Sequence, residues 1–207
     1  DRSPSRGLGD VYKRQASGYM KIQWKPEEIS SANATLKVEN KGEVPGFGGF
    51  YWQFFEQLDK IKPAQDGLMN ISKELFHKEI IEGKTTLTPI TANTPLKTGQ
   101  SVIVRMIIYL KEDAEFVHLK DMRASGLEPI DVLSGHKYKG GLSFYQSTRD
   151  VATHFFFDSI KRGSYVLEYE LKVNNPGQFS NGITTLQSMY APEFSAHTAG
   201  TRIHITE

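Results

Sequence analysis

The chain has 207 residues, 25 basic and 24 acidic side chains for a formal charge of +1, and no cysteine. The missing cysteine excludes disulfide and thiolate chemistry, and the near-balanced charge gives no steering toward nucleic acid or an anionic membrane. No run approaches the ~18–20 apolar residues of a membrane span, so composition leaves a globular chain with apolar content ample for a core.

Residues 1–15 read differently from the rest. Residues 10–15 back-translate without a mismatch to the mosaic end of a transposon-based sequencing adapter, and residues 5–9 continue into the same adapter. A basic Ser/Gly/Arg tail for an acidic surface is the competing reading, but it needs every one of those codons to agree by chance. The segment is expected to be a library artefact and is set aside from fold reasoning. Without Arg2, Arg6, Lys13, Arg14, Asp1 and Asp10 the count is 21 basic against 22 acidic, and the charge moves from +1 to −1. No Met precedes Ala16, so the native protein is expected to begin upstream.

After Gln15 the dominant period is two. Strand-like segments come first at 19–24, 35–39 and 49–57. Residues 50–61 read as a helix as well, but their aromatics suit a strand better. Residues 61–67 read as a linker or long turn, which puts a soft boundary between Asp59 and Leu68. What precedes it is expected to be the end of a β-module whose other strands lie elsewhere, leaving unpaired edges and exposed aromatics.

Further strands are predicted at 71–77, 101–110, 115–122, 142–146, 152–157, 164–173, 184–190 and 201–205, with 150–159 ambiguous between strand and helix. In 101–110, Val102, Val104, Met106, Ile108 and Leu110 form one fully apolar face. Turn signals separate the segments at Asn40-Lys41-Gly42, Glu82-Gly83-Lys84, Thr98-Gly99-Gln100, Lys161-Arg162-Gly163 and Asn175-Pro176-Gly177. About ten short strands without a long amphipathic helix predict an all-β, antiparallel β-sandwich.

The chemistry-bearing motifs are weak. Gly83-Lys84-Thr85 ends like a phosphate loop, but position 78, where that loop needs glycine, is Lys, so a hairpin turn is predicted. Gly46-Phe47-Gly48-Gly49 lacks the dinucleotide-binding pattern and reads as a bulge or bend. His77, His118, His136, His154, His197 and His204 show no HExxH and no i,i+4 pair, so no metal is expected, and His118 and His154 read as packed or rim residues. There is no GxSxG, and Ser125-Gly126 and Ser134-Gly135 lack the flanking elbow glycine. Asp121, Asp131, Asp150 and Glu128 supply carboxylates without a pattern that pairs them. No catalytic residue, cofactor or metal site is therefore predicted.

Two groups remain as candidate surfaces. In Met189-Tyr190-Ala191-Pro192-Glu193, Pro192 is expected to end a strand and bias Ala191 to extended geometry. Glu193 would accept hydrogen bonds from turn amides, while Tyr190 and Phe194 would pin the turn to the core. A structural role outweighs a functional one there. Tyr51, Trp52, Phe54 and Phe55 would bind sugar or peptide, or pack between neighbouring domains, and packing is favoured.

Several longer runs occur in a fixed order from Leu127 to Ile203: DVLSGHKYKGGLSFYQSTRD, RGSYVLEYEL, and GQFSNGITTLQSMYAPEF followed by a polar loop and Thr-Arg-Ile. Together with the upstream KVENKGEVPGFGGFYWQFFEQLDKI they resemble the last domain of bacterial alpha-2-macroglobulins, of Bacteroidetes type, over residues 22–205. The resemblance implies a macroglobulin-like sandwich at 67–207, after the end of a preceding β-module and linker at 16–66. It implies a non-enzymatic C-terminal domain of a large protease inhibitor in the periplasm or envelope of a Gram-negative bacterium. In such proteins a protease cuts a bait region, the protein changes shape, and the attacker is trapped. Many members carry an upstream thioester, which a tyrosine of the last domain shields in some of them. The resemblance nominates Tyr190 for that role or for an interdomain contact, with Met189 and Glu193 beside it, although other members have no thioester. The implied partners are upstream domains of the same chain and target proteases, with no nucleic acid, no cofactor, and a membrane only through an anchor outside this segment. The alternative is a free-standing adhesin-like or carbohydrate-binding β-sandwich with an exposed aromatic platform.

Overall fold

Period-two alternation is realised as pleated strands. Along Ser101–Leu110, Val102, Val104, Met106, Ile108 and Leu110 are buried while the residues between them stay partly exposed, because successive side chains leave opposite faces of a strand. The computed structural model describes residues 12–14, 19–65, 67–91 and 93–207. They divide into two compact units, Asp1–Gln53 and Phe54–Glu207. Of the segment expected to be adapter, all but residues 12–14 lies outside the described residues.

In the first unit, β1 (Tyr12–Arg14) and β2 (Tyr19–Lys21) pair antiparallel, and 3-10 turns follow at Pro26–Glu28 and Ser31–Ala34. The strands predicted at 35–39 and 49–57 are absent, and the segment read as strand or helix at 50–61 holds only a 3-10 turn at Leu58–Lys60. Both predicted strands have strand-forming side chains, but among the described residues neither has a neighbouring strand to satisfy its backbone N–H and C=O groups. Without a ladder, propensity alone does not make a strand.

The second unit carries β3 (Met69–Ile81), β4 (Lys84–Pro89), β5 (Leu96–Lys97), β6 (Ser101–Leu110), β7 (Ala114–Met122), β8 (Leu127–Pro129) and β9 (Gly135–Lys139). After these come β10 (Leu142–Thr148), β11 (Ala152–Ile160), β12 (Gly163–Val173), β13 (Gly177–Ser180), β14 (Thr184–Ser188), β15 (Ser195–His197) and β16 (Arg202–Thr206). One antiparallel sheet has the order β15-β14-β7-β11-β10-β9, and a second has the order β4-β3-β6-β12-β8. A small third sheet, β13-β16-β5, contains a parallel pair, β16 with β5.

The two large sheets share one core. Ile71, Leu75, Met106, Ile108, Leu167 and Leu171 come from one, and Val117, Leu119, Phe144, Phe155, Phe157 and Leu186 from the other. Phe144 sits 5.5 Å from Phe155 and 5.7 Å from Phe157, ring centre to ring centre. Each such aliphatic or aromatic side chain contributes about 1.5–3 kcal/mol on burial. The fold is an all-β antiparallel sandwich, as the alternation predicts. Glu82 and Gly83, at φ 51° and 76°, make the tight turn from β3 to β4, so the Gly83-Lys84-Thr85 run is a hairpin. Residues 58–64 are fastened to this sandwich: Ala64 bridges His197, and the Gly200 amide donates to the Ile61 carbonyl at 2.9 Å.

Candidate functional site

The alternation of β7 turns Val117, Leu119 and Asp121 toward the core, which brings a carboxylate to full burial. Alternation of β3 does the same with Ile71, Lys73 and Leu75, and the Lys73 side chain is 6% exposed. The two charges meet, with Lys73 Nζ 2.7 Å from Asp121 Oδ1 and donating also to the Met122 carbonyl at 2.7 Å. The Thr184 hydroxyl donates to Oδ1 at 2.6 Å, and the Tyr169 hydroxyl to Oδ2 at 2.5 Å. Burial raises the Tyr169 phenol well above its ordinary pKa, and the adjacent carboxylate raises it further, so it remains a neutral donor. Both carboxylate oxygens are thus occupied by groups from β3, β12 and β14, which ties one sheet to the other. Such a carboxylate is a fastening, fully buried and held by three donors. Lys73 was not singled out in the sequence, although a lysine at an inward position of an alternating strand is a legible signal for it.

The other carboxylates stay apart. Asp131 is held by Lys137, Glu128 accepts from Asn174 at 2.8 Å, and the Asp150 main-chain carbonyl accepts from Arg123 at 2.8 Å. A cleft of about 680 Å³ runs beside Lys73, Glu74, Pro89, Asn181 and Arg202, and Arg202 is paired there with Asp59 at 3.3 Å. Its cations are therefore neutralised within the fold. His118 and His154 face each other on the outer side of the six-stranded sheet, Nε2 to Nδ1 at 2.9 Å, with Phe156 stacked on both rings. Burial is the largest cause lowering both imidazole pKa values, followed by His154 and Lys120 for His118, and by Lys120 and Arg149 for His154. Among the described residues no three His, Asp or Glu side chains converge on a common point for a metal ion.

Pro192 lies beyond the end of β14, and the chain turns there as the sequence predicts. The turn is held by Phe194 N–H to the Ala191 carbonyl at 2.9 Å, Ser188 N–H to the Phe194 carbonyl at 3.0 Å, and Gln187 Nε2 to the Pro192 carbonyl at 3.1 Å. Two details of the expectation are corrected. Among the described residues no hydrogen bond reaches the Glu193 carboxylate, because backbone carbonyls already serve the turn amides. Tyr190 does not pin the turn to the core, since it is 79% exposed and Met189 is 54% exposed. Instead Tyr190 meets Phe116 of β7 edge-to-face at 5.1 Å, and Met189 N–H donates to the Phe116 carbonyl at 2.9 Å. Phe116 is 45% exposed and has φ 49°, a left-handed backbone uncommon for a bulky residue.

Tyr51 and Trp52 are exposed in the first unit, Phe54 and Phe55 in the second, all on irregular backbone. Phe50 and Trp52 are tilted by 35° at 6.5 Å.

A two-sheet antiparallel sandwich around one core, with its buried Lys73–Asp121 charges paired, defines a β-sandwich domain. The description "Bacterial Alpha-2-macroglobulin MG10 domain" belongs to the family model that matches residues 69–193. The chain is a member of that family. Solved structures agree in fold: Salmonella alpha-2-macroglobulin reacted with methylamine is 18% identical with a TM-score of 0.59, over 72% of this chain and 10% of that one. Native Escherichia coli alpha-2-macroglobulin spanning domain MG7 to the C-terminus is 15% identical with a TM-score of 0.56, over 70% of this chain and 24% of that one. The E. coli protein activated by porcine elastase is 16% identical with a TM-score of 0.58, over 71% and 14%. The match spans only a tenth of the Salmonella chain. No curated protein matches the chain.

Proposed function

We propose that residues 67–207 are the C-terminal macroglobulin-like domain of a large envelope or periplasmic protease inhibitor, and that this domain is a non-enzymatic docking scaffold. Residues 16–66 are then the end of the preceding β-module and its linker, and residues 1–15 the adapter. The carrying observation is the family match combined with an apolar display, Phe116, Met189 and Tyr190, on a sandwich whose buried carboxylate is held by Lys73, Thr184 and Tyr169. A scaffold in a bistable assembly needs complementary surfaces that hold the uncut state and separate after bait cleavage, and it needs no reactive group.

In this reading Tyr190, flanked by Met189 and Glu193, contacts a preceding domain and covers a thioester where the full chain has one. The run containing Tyr51, Trp52, Phe54 and Phe55 packs against a neighbouring module, which accounts for strand-forming residues that have no strand partner among the described residues. The partners are upstream domains of the same chain, and target proteases engage the whole protein.

The test begins with the source DNA upstream of the Ala16 codon. A long open frame of further β-modules, followed by binding of this segment to those modules when the two are expressed separately, supports the proposal. A signal peptide directly before Ala16, with binding to glycan arrays in place of modules, would establish the adhesin-like reading instead.

A further inference from the structure

The outward face of the six-stranded sheet carries unbalanced positive charge. Strand register sets side chains in straight rows across a sheet, with neighbouring strands about 4.8 Å apart. One such row runs His197, Thr185, Lys120, His154, Ser147 over β15, β14, β7, β11 and β10. Ala196, Leu186, Leu119, Asp121 and Phe155 alternate with it into the core, so the row lies on the other face. Every member of the row can donate a hydrogen bond, and none is a carboxylate. His118, in the adjoining row between Gln187 and Phe156, joins His154 at 2.9 Å. Arg149 extends the patch from the turn after β10, a turn that Arg123 fastens through the Arg149 and Asp150 carbonyls.

Elsewhere on the sandwich the partly buried cations are neutralised. Lys73, Lys78, Arg105 and Lys137 each meet a carboxylate, whereas among the described residues Lys120, Arg123 and Arg149 meet none. The other lysines of the second unit without a carboxylate partner are exposed, but Lys120 is half-buried. A half-buried ammonium without a counter-charge is unfavourable, and an anion bound beside it removes that cost. The nearest outward acids along the chain are Asp150, beside Arg149, and Asp158, four residues beyond His154, and both are exposed.

We propose that this face, centred on Lys120 and His154, binds a tetrahedral oxyanion, phosphate or sulfate, and binds it more tightly as the medium becomes acidic. Such an ion presents acceptors in several directions, which suits donors converging from an ammonium, imidazoles, a hydroxyl and a guanidinium on different strands. The acid dependence comes from the imidazoles. Without an anion both are held neutral, first by burial and then by nearby positive charge, His154 and Lys120 for His118, Lys120 and Arg149 for His154. The remaining titratable groups on these two rows are Tyr145, His136 and His197. An anion among the cations reverses the charge effect and raises both imidazoles, so binding takes up protons and strengthens as pH falls below about 6.5. The site is independent of the docking role proposed above.

The probe is potassium sulfate, whose charge is constant across this pH range, titrated into the chain against potassium chloride at equal ionic strength. NMR of the His118 and His154 ring protons is expected to show saturable shifts with sulfate and not with chloride. Affinity should be about fivefold or more higher near pH 5.5 than near pH 7.5, and about fivefold or more lower in Lys120→Gln. In His118→Gln/His154→Gln, followed through backbone amides of β7 and β14, sulfate still binds but the pH dependence is lost. Arg149→Gln changes an exposed turn and should also weaken binding, which keeps the test decisive if Lys120→Gln does not fold. The site is overturned if sulfate acts no differently from chloride, or if folded Lys120→Gln and Arg149→Gln bind it as the parent does. An affinity that is the same at both pH values overturns the acid dependence. Co-sedimentation with phosphatidylglycerol vesicles that Lys120→Gln abolishes would place the anion on a lipid headgroup, and sulfate binding without co-sedimentation would place it on a small solute; both support the site.

Discussion

At the residue scale the least forgiving position is Asp121, because its carboxylate neutralises a buried ammonium while accepting two hydroxyl donors. Removing one partner of a buried ion pair costs about 3–5 kcal/mol, mostly from the charge left behind. Asp121→Asn keeps the shape and strands Lys73. It should therefore lower stability by about that amount in urea unfolding, against about 1–3 kcal/mol for Tyr169→Phe, which deletes one donor and leaves the pair. Equal losses in the two variants would contradict this description of the network. The His118–His154 pair makes a pH prediction with a definite sign. One ring must donate and the other accept at 2.9 Å, with Lys120 and Arg149 as nearby like charges. Both pKa values are lowered in the folded state, so below the unfolded value of about 6.5 the unfolded chain binds more protons. The stability associated with the neutral pair is fully present above that pH and is lost as pH falls toward the folded values. Melting curves from pH 8 to pH 5 should show a decline that is shallower in His118→Gln/His154→Gln, and a parallel decline in both proteins would remove the pair from the account.

At the element scale, legibility followed strand length and partnership. In β3, β6, β7 and β12 a period-two alternation marks the inward face, even where it turns Lys73 of β3 and Asp121 of β7 inward. The short strands β5, β8, β13 and β15 have two to four residues each and exist because a neighbour pairs with them, which no local pattern announces. Conversely, residues 35–39 and 49–57 carry strand-forming side chains but lack a described partner. Part of the candidate site was legible in the same way: Pro192 marks the turn that displays Tyr190, whereas nothing in a phenylalanine codes for the left-handed backbone at Phe116. Turn chemistry is testable in the β9–β10 hairpin, where Gly140 and Gly141 have φ 59° and 80°. A Cβ on Gly140 would lie 2.3 Å from the Val166 carbonyl oxygen, while one on Gly141 would meet nothing closer than 3.9 Å. Gly141→Ala should cost about 1 kcal/mol from backbone strain, and Gly140→Ala more than about 2 kcal/mol from strain plus a backbone clash. Denaturant titration of the two variants decides it, and the reverse order would mean that β9 and β12 do not approach as described.

At the scale of the whole second unit, residues 58–64 are fastened to the sandwich through Ala64 with His197 and Ile61 with Gly200. A chain starting at residue 54 should therefore melt above one starting at residue 67 by about 2–4 °C for each kcal/mol those contacts contribute. Identical melting temperatures would make the segment a passive linker. The family match and the fold place this sandwich among the domains of bacterial alpha-2-macroglobulins. The most direct measurement is a trapping assay on the longest chain the source gene encodes, with and without residues 67–207, after adding a limiting amount of a broad-specificity protease. The account predicts that the intact chain leaves the protease active on a small peptide substrate but blocked from a large protein substrate, and that deleting 67–207 abolishes this protection. Equal cleavage of both substrates in the presence of the intact chain would contradict it.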